Sequence, residues 1–353
     1  MIYTIMKKKT CFLSLALSLL LIHACTAVRS DRPVLVSASE ELSVAGVRVT
    51  VDPAYGQGGF LVRALTDTSL AVRYFGTDYL VATLSVPAGT VRPVMYVGRG
   101  PGELSDANFA GGTADAAGRL LLDLFDMNAG VIKTIDVRQS EEAGAGAVVR
   151  ERSLPANCWQ VFSNGEELLC KVVLDEAGYS YQRLDASGER TDTYAFWGRE
   201  ETERLYNYMS SADCLKPDGT KIALCFNSLD KLTILDLRDG SRRSYVTDPA
   251  WRRKGDLEEM RRLEATGEEA EHYLYSCCDD ESVYALYMPG DEVRVFGWDG
   301  RFKRRLHLDR PVMCISVSPD GTLYGTDMEG AVYAFGEAGL LACTDIFLYD
   351  FCI

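Results

Sequence analysis

Histidine is scarce in this chain: three residues in 353, at positions 23, 272 and 307. So few, so far apart, cannot build a His-rich metal centre. No two cysteines take the Cys-x-x-Cys spacing, which removes zinc ribbons and thioredoxin-like redox pairs. No Gly-x-Ser-x-Gly elbow occurs, and no Gly-rich turn is followed by the Lys-Ser/Thr of a P-loop. Positive charge is the minority: 37 Lys and Arg stand against 51 Asp and Glu, a net charge of -14. Such a surface repels nucleic acid and anionic headgroups, so no nucleic-acid partner is expected.

Long apolar runs are confined to the N-terminus. Lys7-Lys8-Lys9 precedes the apolar run Cys11 to Ile22, and His23-Ala24-Cys25 follows. Cation, short apolar stretch and small-residue exit form the layout of a secretory signal. The run is shorter than the roughly 20 residues a membrane span needs. Ile22-His23-Ala24-Cys25 resembles a bacterial lipobox, whose cysteine carries the lipid; an ordinary signal peptide cut nearby is the alternative. The expected organisation is a signal over 1–24, a tether over 25–43 and one folded unit over 44–353. Removing Lys7, Lys8 and Lys9 takes the net charge from -14 to -17, so membrane attachment would rest on the Cys25 lipid and not on a basic patch.

The rest of the chain repeats. A turn signal followed by two short strands recurs six times, starting near residues 67, 115, 164, 218, 280 and 320. Examples are Pro217-Asp218-Gly219 before KIALCFN and KLTILDL, and Pro319-Asp320-Gly321 before TLYGTDM and AVYAFGE. The strands alternate apolar with polar or β-branched residues, and Gly, Asp and Asn join them as hairpins require. With a flanking strand on either side, each unit holds four strands, and a period of about 40 to 60 residues is that of a propeller blade. The fold class expected is all-β: a six-bladed β-propeller with blades over 60–98, 107–153, 157–198, 206–247, 272–309 and 312–348. The segment Val44 to Val51 is a candidate to pair with the last blade and close the ring, with LLACTDIFL (340–348) as that blade's final strand.

One stretch interrupts the period. "WRRKGDLEEMRRLEATGEEAE", 251–271, is rich in helix formers, and Leu257, Met260 and Leu263 fall on one stripe. It reads as a short helix inserted over about 249–271, between the fourth and fifth units. The cysteines argue against a disulfide framework. Of eleven, nine remain after Cys11 and Cys25, and most sit in expected strands, where cysteine packs as a small hydrophobe.

Candidate binding residues come from one end of the propeller. Turns between second and third strands carry Asp78, Asp126, Asn128, Asp175, Asp230, Asp291, Asp327 and Glu329. Crossings between blades leave at the same end, where Arg99, Glu103, Trp197, Tyr206, Tyr208 and Tyr273 are expected. Together they suggest an acidic rim with aromatics, suited to a cation or to a basic, sugar or peptide ligand. No catalytic constellation emerges. No cofactor is expected, calcium being the one candidate.

"GRGPGE", Gly98 to Glu103, raises the question of a phosphate cradle. Pro101 within the turn, and a strand rather than a helix after it, argue against one. The expected place is the crossing from the first blade to the second, with Arg99 and Glu103 paired to each other or to a neighbouring blade.

The lipobox-like signal, the six units and the GRGPGE turn together resemble the TolB-like six-bladed propeller lipoproteins of Bacteroidetes. The resemblance covers nearly all of the chain after Cys25. It implies a cell-envelope location and a monomeric binding or scaffolding module for a protein or glycan partner. Thr26-Ala27-Val28-Arg29 is not the acidic stretch of a surface-export signal, which favours the periplasmic side. The alternative is an enzyme of the calcium-dependent lactonase or lyase type, with its metal in the central channel.

Overall fold

The computed structural model describes residues 32–51, 59–114, 117–253 and 255–336. The signal, Cys25 and the LLACTDIFL segment lie outside the described residues.

Alternating strands and tight turns give a succession of antiparallel meanders. After β1 (Val34–Leu35) and β2 (Glu41–Arg48), the first sheet runs β3 (Gly59–Ala64), β4 (Ser69–Tyr74), β5 (Tyr79–Ser85) and β6 (Val91–Val97). The short β7 (Glu103–Leu104) lies parallel on its edge. The second sheet holds β8 (Asn108–Ala114), β9 (Leu120–Asp126), β10 (Val131–Asp136) and β11 (Val148–Ser153). The third holds β12 (Cys158–Ser163), β13 (Leu168–Asp175), β14 (Gly178–Leu184) and β15 (Arg190–Trp197). The fourth holds β16 (Ser211–Leu215), β17 (Lys221–Phe226), β18 (Leu232–Asp236) and β19 (Arg242–Val246), with β1 parallel on β19.

The remaining strands form one eight-stranded sheet. β20 (Tyr273–Cys278), β21 (Ser282–Tyr287), β22 (Glu292–Gly297) and β23 (Phe302–Leu308) lie on one side of β2. β26 (Val332–Gly336), β25 (Leu323–Thr326) and β24 (Cys314–Val317) lie on the other. Glu41 to Val44 of β2 run parallel to Arg305–Leu308, and Ala45 to Arg48 run antiparallel to Gly336–Tyr333. One strand from early in the chain thus stitches two late meanders, removing the edges that β23 and β26 would otherwise expose. The closing strand begins earlier than Val44, and residues 34–43, expected to be tether, already contain β1 and the start of β2.

The first strands of the successive meanders, β3, β8, β12, β16, β20 and β24, together line one central channel. The arrangement is that of a β-propeller. Its core is not one mass but a set of apolar layers between adjacent sheets. Val62 and Val72 meet Cys314 and Val332, for example, and Cys225 and Tyr245 meet Val283 and Phe296. Cysteine serves these layers as expected: Cys170, Cys225 and Cys314 are fully buried, and the seven described cysteines are free thiols.

Three short α-helices appear among the described residues where one was expected. α1 (Val137–Ala143) interrupts the second sheet between β10 and β11. Asp136 caps it by accepting from Gln139 N, and Gly144 ends it in the left-handed conformation at φ 63°. α2 (Arg199–Leu205) follows β15. α3 (Asp256–Thr266) is the helix legible from 251–271. Its stripe is packed rather than solvated: Met260 and Leu263 are fully buried, and Met260 meets Trp197, Leu205 and Phe226. An ion pair from Lys231 to Asp256 and one of 2.7 Å between Arg204 and Glu264 hold the helix at both ends. Met260→Ala is expected to destabilise the protein by about 2–5 kcal/mol, the usual cost of deleting a buried side chain that leaves a cavity. Urea unfolding measures it; a change below about 0.5 kcal/mol would mean that α3 is a detachable cover.

Candidate binding face and channel

In each meander the turn between second and third strands, and the link onward to the next meander, emerge at the same strand end. The fourteen residues picked out from sequence map to that end, but their side chains do different things.

The GRGPGE loop is built around a cation. Buried Lys133, on β10, donates from Nζ to the carbonyls of Gly100 (3.2 Å), Pro101 (3.1 Å) and Glu103 (2.9 Å). A phosphate loop turns N–H groups inward; this one turns oxygens inward. The glycines permit two close approaches. A Cβ on Gly98 would lie 1.9 Å from Glu103 Oε2, and one on Gly102 would lie 2.8 Å from the Gly146 carbonyl oxygen. Glu103 accepts from Gly100 N at 2.8 Å and makes no ion pair with Arg99, which is exposed. The expected Arg99–Glu103 pairing is therefore replaced by a side-chain-to-backbone clasp.

The acidic rim is mostly turned inward. Asp126 accepts from Ser105 N (2.7 Å), Ser105 Oγ (2.6 Å), Asp106 N (3.0 Å) and Ala129 N (2.9 Å), locking the loop to the next sheet. Burial disfavours its charged form, but these hydrogen bonds outweigh it and hold the carboxyl below the usual carboxylate range. Asp230 is buried against Arg294 at 2.7 Å. Asp327 accepts from Glu329 N, Ala331 N and the Tyr333 hydroxyl. Asp78, Asn128, Asp291 and Glu329 stay exposed among these turn residues, and Asp175 is half-buried. Of the aromatics, Trp197 and Tyr273 are buried and Tyr208 packs on the core, because the apolar layers between sheets take them. Tyr206 is exposed.

This end also exposes apolar side chains. Phe75, Met127 and Met328 occupy the turns, Phe60 and Trp159 begin inner strands, and Tyr206 and Met313 lie on crossings; all are exposed, Met328 by 78% and Phe75 by 50%. Phe60 and Phe75 meet edge-to-face at 4.7 Å, and Trp159 and Tyr206 at 6.5 Å. Residue-type patterns singled out Tyr206 but not the rest of this collar, since a hydrophobic residue at a strand end resembles any other strand residue.

The channel holds a cavity of about 240 Å³. It reaches the opposite end of the inner strands, where Ala64, Asn164, Lys216, Cys278 and Val317 line it. Asp213 is the single carboxylate among the described residues that line it. Its Oδ2 accepts from Lys171 Nζ at 2.9 Å and from the Tyr181 hydroxyl at 2.6 Å. Burial works against the Lys171 charge, but Asp213 and Tyr179 outweigh it and raise its pKa. The described lining does not supply the set of oxygens calcium takes, and no group of three or more His, Cys, Asp or Glu among the described residues is placed to hold a metal.

These features define a β-propeller with an apolar face and a polar channel. No family model matches the chain, and no curated protein matches its sequence. Solved structures do match. A member of the DUF4221 family from Bacteroides vulgatus aligns at 11% identity, over 84% of this chain and 99% of its own, with a TM-score of 0.52. A protein from Bacteroides fragilis aligns at 10% identity, over 86% and 97%, with a TM-score of 0.50. At such identities the likeness shows the fold.

Proposed function

We propose that this protein is a non-enzymatic binding propeller of the cell envelope that docks a protein partner on its apolar face. The eight-stranded sheet is then two four-stranded blades, β20 to β23 and β24 to β26 completed by β2, which makes six blades with the other four sheets. A lipid on Cys25 is the proposed anchor, on the periplasmic side. The observation that carries the reading is the collar of Phe60, Phe75, Met127, Trp159, Tyr206, Met313 and Met328, exposed at one end of the strands. Clustered exposed apolar groups mark interaction surfaces. Aromatics and Arg lead among interface hot spots, and exposed Arg99 shares this end.

The test is chemical cross-linking of the full chain in envelope membranes, wild type against Phe75→Asp/Met328→Asp. Both positions are at least half exposed, so the folded state should be within about 0.5 kcal/mol of wild type. A cross-linked species lost in the double variant, with melting unchanged, supports the reading. A cross-linking pattern identical in both proteins overturns it.

A further inference from the structure

Three of the seven described cysteines line the channel cavity: Cys214 on β16, and Cys277 and Cys278 on β20. Neighbouring residues on a strand point to opposite sides, and the two cysteines of β20 part accordingly. Cys277 packs on the apolar layer of Leu286, Ile315 and Leu323. Cys278 packs on the layer that holds Cys214, Cys225 and Val283. There the Cys278 thiol donates to the Leu215 carbonyl at 3.1 Å, and the Cys214 thiol hydrogen-bonds the Cys278 sulfur. No sheet ladder joins β16 to β20, so the seam between two meanders is where these sulfurs meet.

The two thiols differ in access. Cys278 is half-buried, whereas Cys214 is 6% exposed. Burial, and then the contact with Cys278, raise the Cys214 pKa well above the usual thiol range, so Cys214 stays protonated. A second pair offers an internal comparison. Cys170 hydrogen-bonds Cys158, but both are buried and neither lines the cavity.

We propose that Cys278 and Cys214 are a peroxide-sensitive pair that closes to a disulfide across the seam between β16 and β20. Hydrogen peroxide fits a cavity of about 240 Å³, which a protein oxidant does not. The Cys278 thiolate attacks one peroxide oxygen and the O–O bond breaks. The other oxygen leaves as hydroxide and takes up the proton that Cys278 gave up, forming water. Cys278 is now a sulfenic acid. Cys214 attacks its sulfur, the S–O bond breaks, and the hydroxyl leaves with the Cys214 proton as a second water. The two thiols lose two electrons and the peroxide gains them. The bond closes a long loop that carries α3, which restricts the unfolded chain and locks the seam. The pair lies away from the apolar collar, so its failure would leave the docking reading untouched.

The experiment treats the purified, reduced full chain with hydrogen peroxide at pH 8. Remaining thiols are then alkylated in denaturant, and peptide mass spectrometry locates the linkages. A Cys214–Cys278 disulfide is expected, formed about tenfold faster than any Cys158–Cys170 bond, because access governs thiol oxidation. The oxidised form should melt about 5 °C higher and return to the reduced value with dithiothreitol. Cys214→Ser should stall Cys278 at the sulfenic acid, which dimedone labels, and Cys278→Ser should leave Cys214 alkylatable. Peroxide that leaves both thiols alkylatable in the wild type overturns the proposal. So does a Cys158–Cys170 bond that forms as fast, or an oxidised form that melts no higher than the reduced one.

Discussion

Deleting Glu41–Arg48 should abolish the cooperative folding of the whole protein, not merely loosen its N-terminal region. Among the described strands, β2 is the one that pairs with both the meander ending at β23 and the one ending at β26. Its removal exposes both outer strands as unpaired edges, which recruit other chains. It also strips eight residues of pairing and uncovers the layer around Val44, Leu306 and Phe335. Hydrogen bonds worth about 0.5–1.5 kcal/mol each, together with buried side chains worth about 1.5–3 kcal/mol, reach the 5–15 kcal/mol that holds an ordinary domain together. Circular dichroism melting and size-exclusion chromatography should show aggregation and no sharp transition. Two point variants grade the effect. A Cβ at Gly46 would lie 2.7 Å from the Phe335 ring, so Gly46→Val should cost about 1–3 kcal/mol. Val47 is 52% exposed, so Val47→Ser should be within about 0.5 kcal/mol of wild type. A deletion variant that melts like the full chain would show that closure does not depend on β2.

The strands were legible because their information is local. KIALCFN and KLTILDL show their period of two within seven residues, and Asp218-Gly219 marks the turn before them; they became β17 and β18. The stripe Leu257, Met260 and Leu263 gave α3 in the same way. α1 was missed although its Asp136 cap and Gly144 stop are both in the sequence, because a seven-residue helix inside a hairpin looks like a long turn. α2, REETERL, has no apolar stripe to announce it. The candidate site was legible in position but not in chemistry. A turn aspartate that hydrogen-bonds its own loop, as Asp126 does, and one that faces solvent, as Asp78 does, carry the same local signature. Partners brought together from distant strands, such as Asp230 with Arg294 or Lys171 with Asp213, leave no trace in spacing.

The second large effect is expected at Lys171. Its ammonium lies between β13 and β16, bonded to Asp213, to the Ser211 carbonyl at 3.2 Å and to Ser211 Oγ at 2.9 Å. Lys171→Met keeps the side-chain length but leaves a carboxylate buried beside Tyr181 with no counter-charge. Breaking a buried pair from one side costs about 3–5 kcal/mol at pH 7, measurable by urea unfolding. The double variant separates this from simple loss of packing. Lys171→Met/Asp213→Leu removes both charges at once and should recover much of the loss, since a buried ion pair gains little over apolar residues that fill its space. A double variant no more stable than the single one would mean that the ammonium acts through Ser211 and its packing and not through the Asp213 charge.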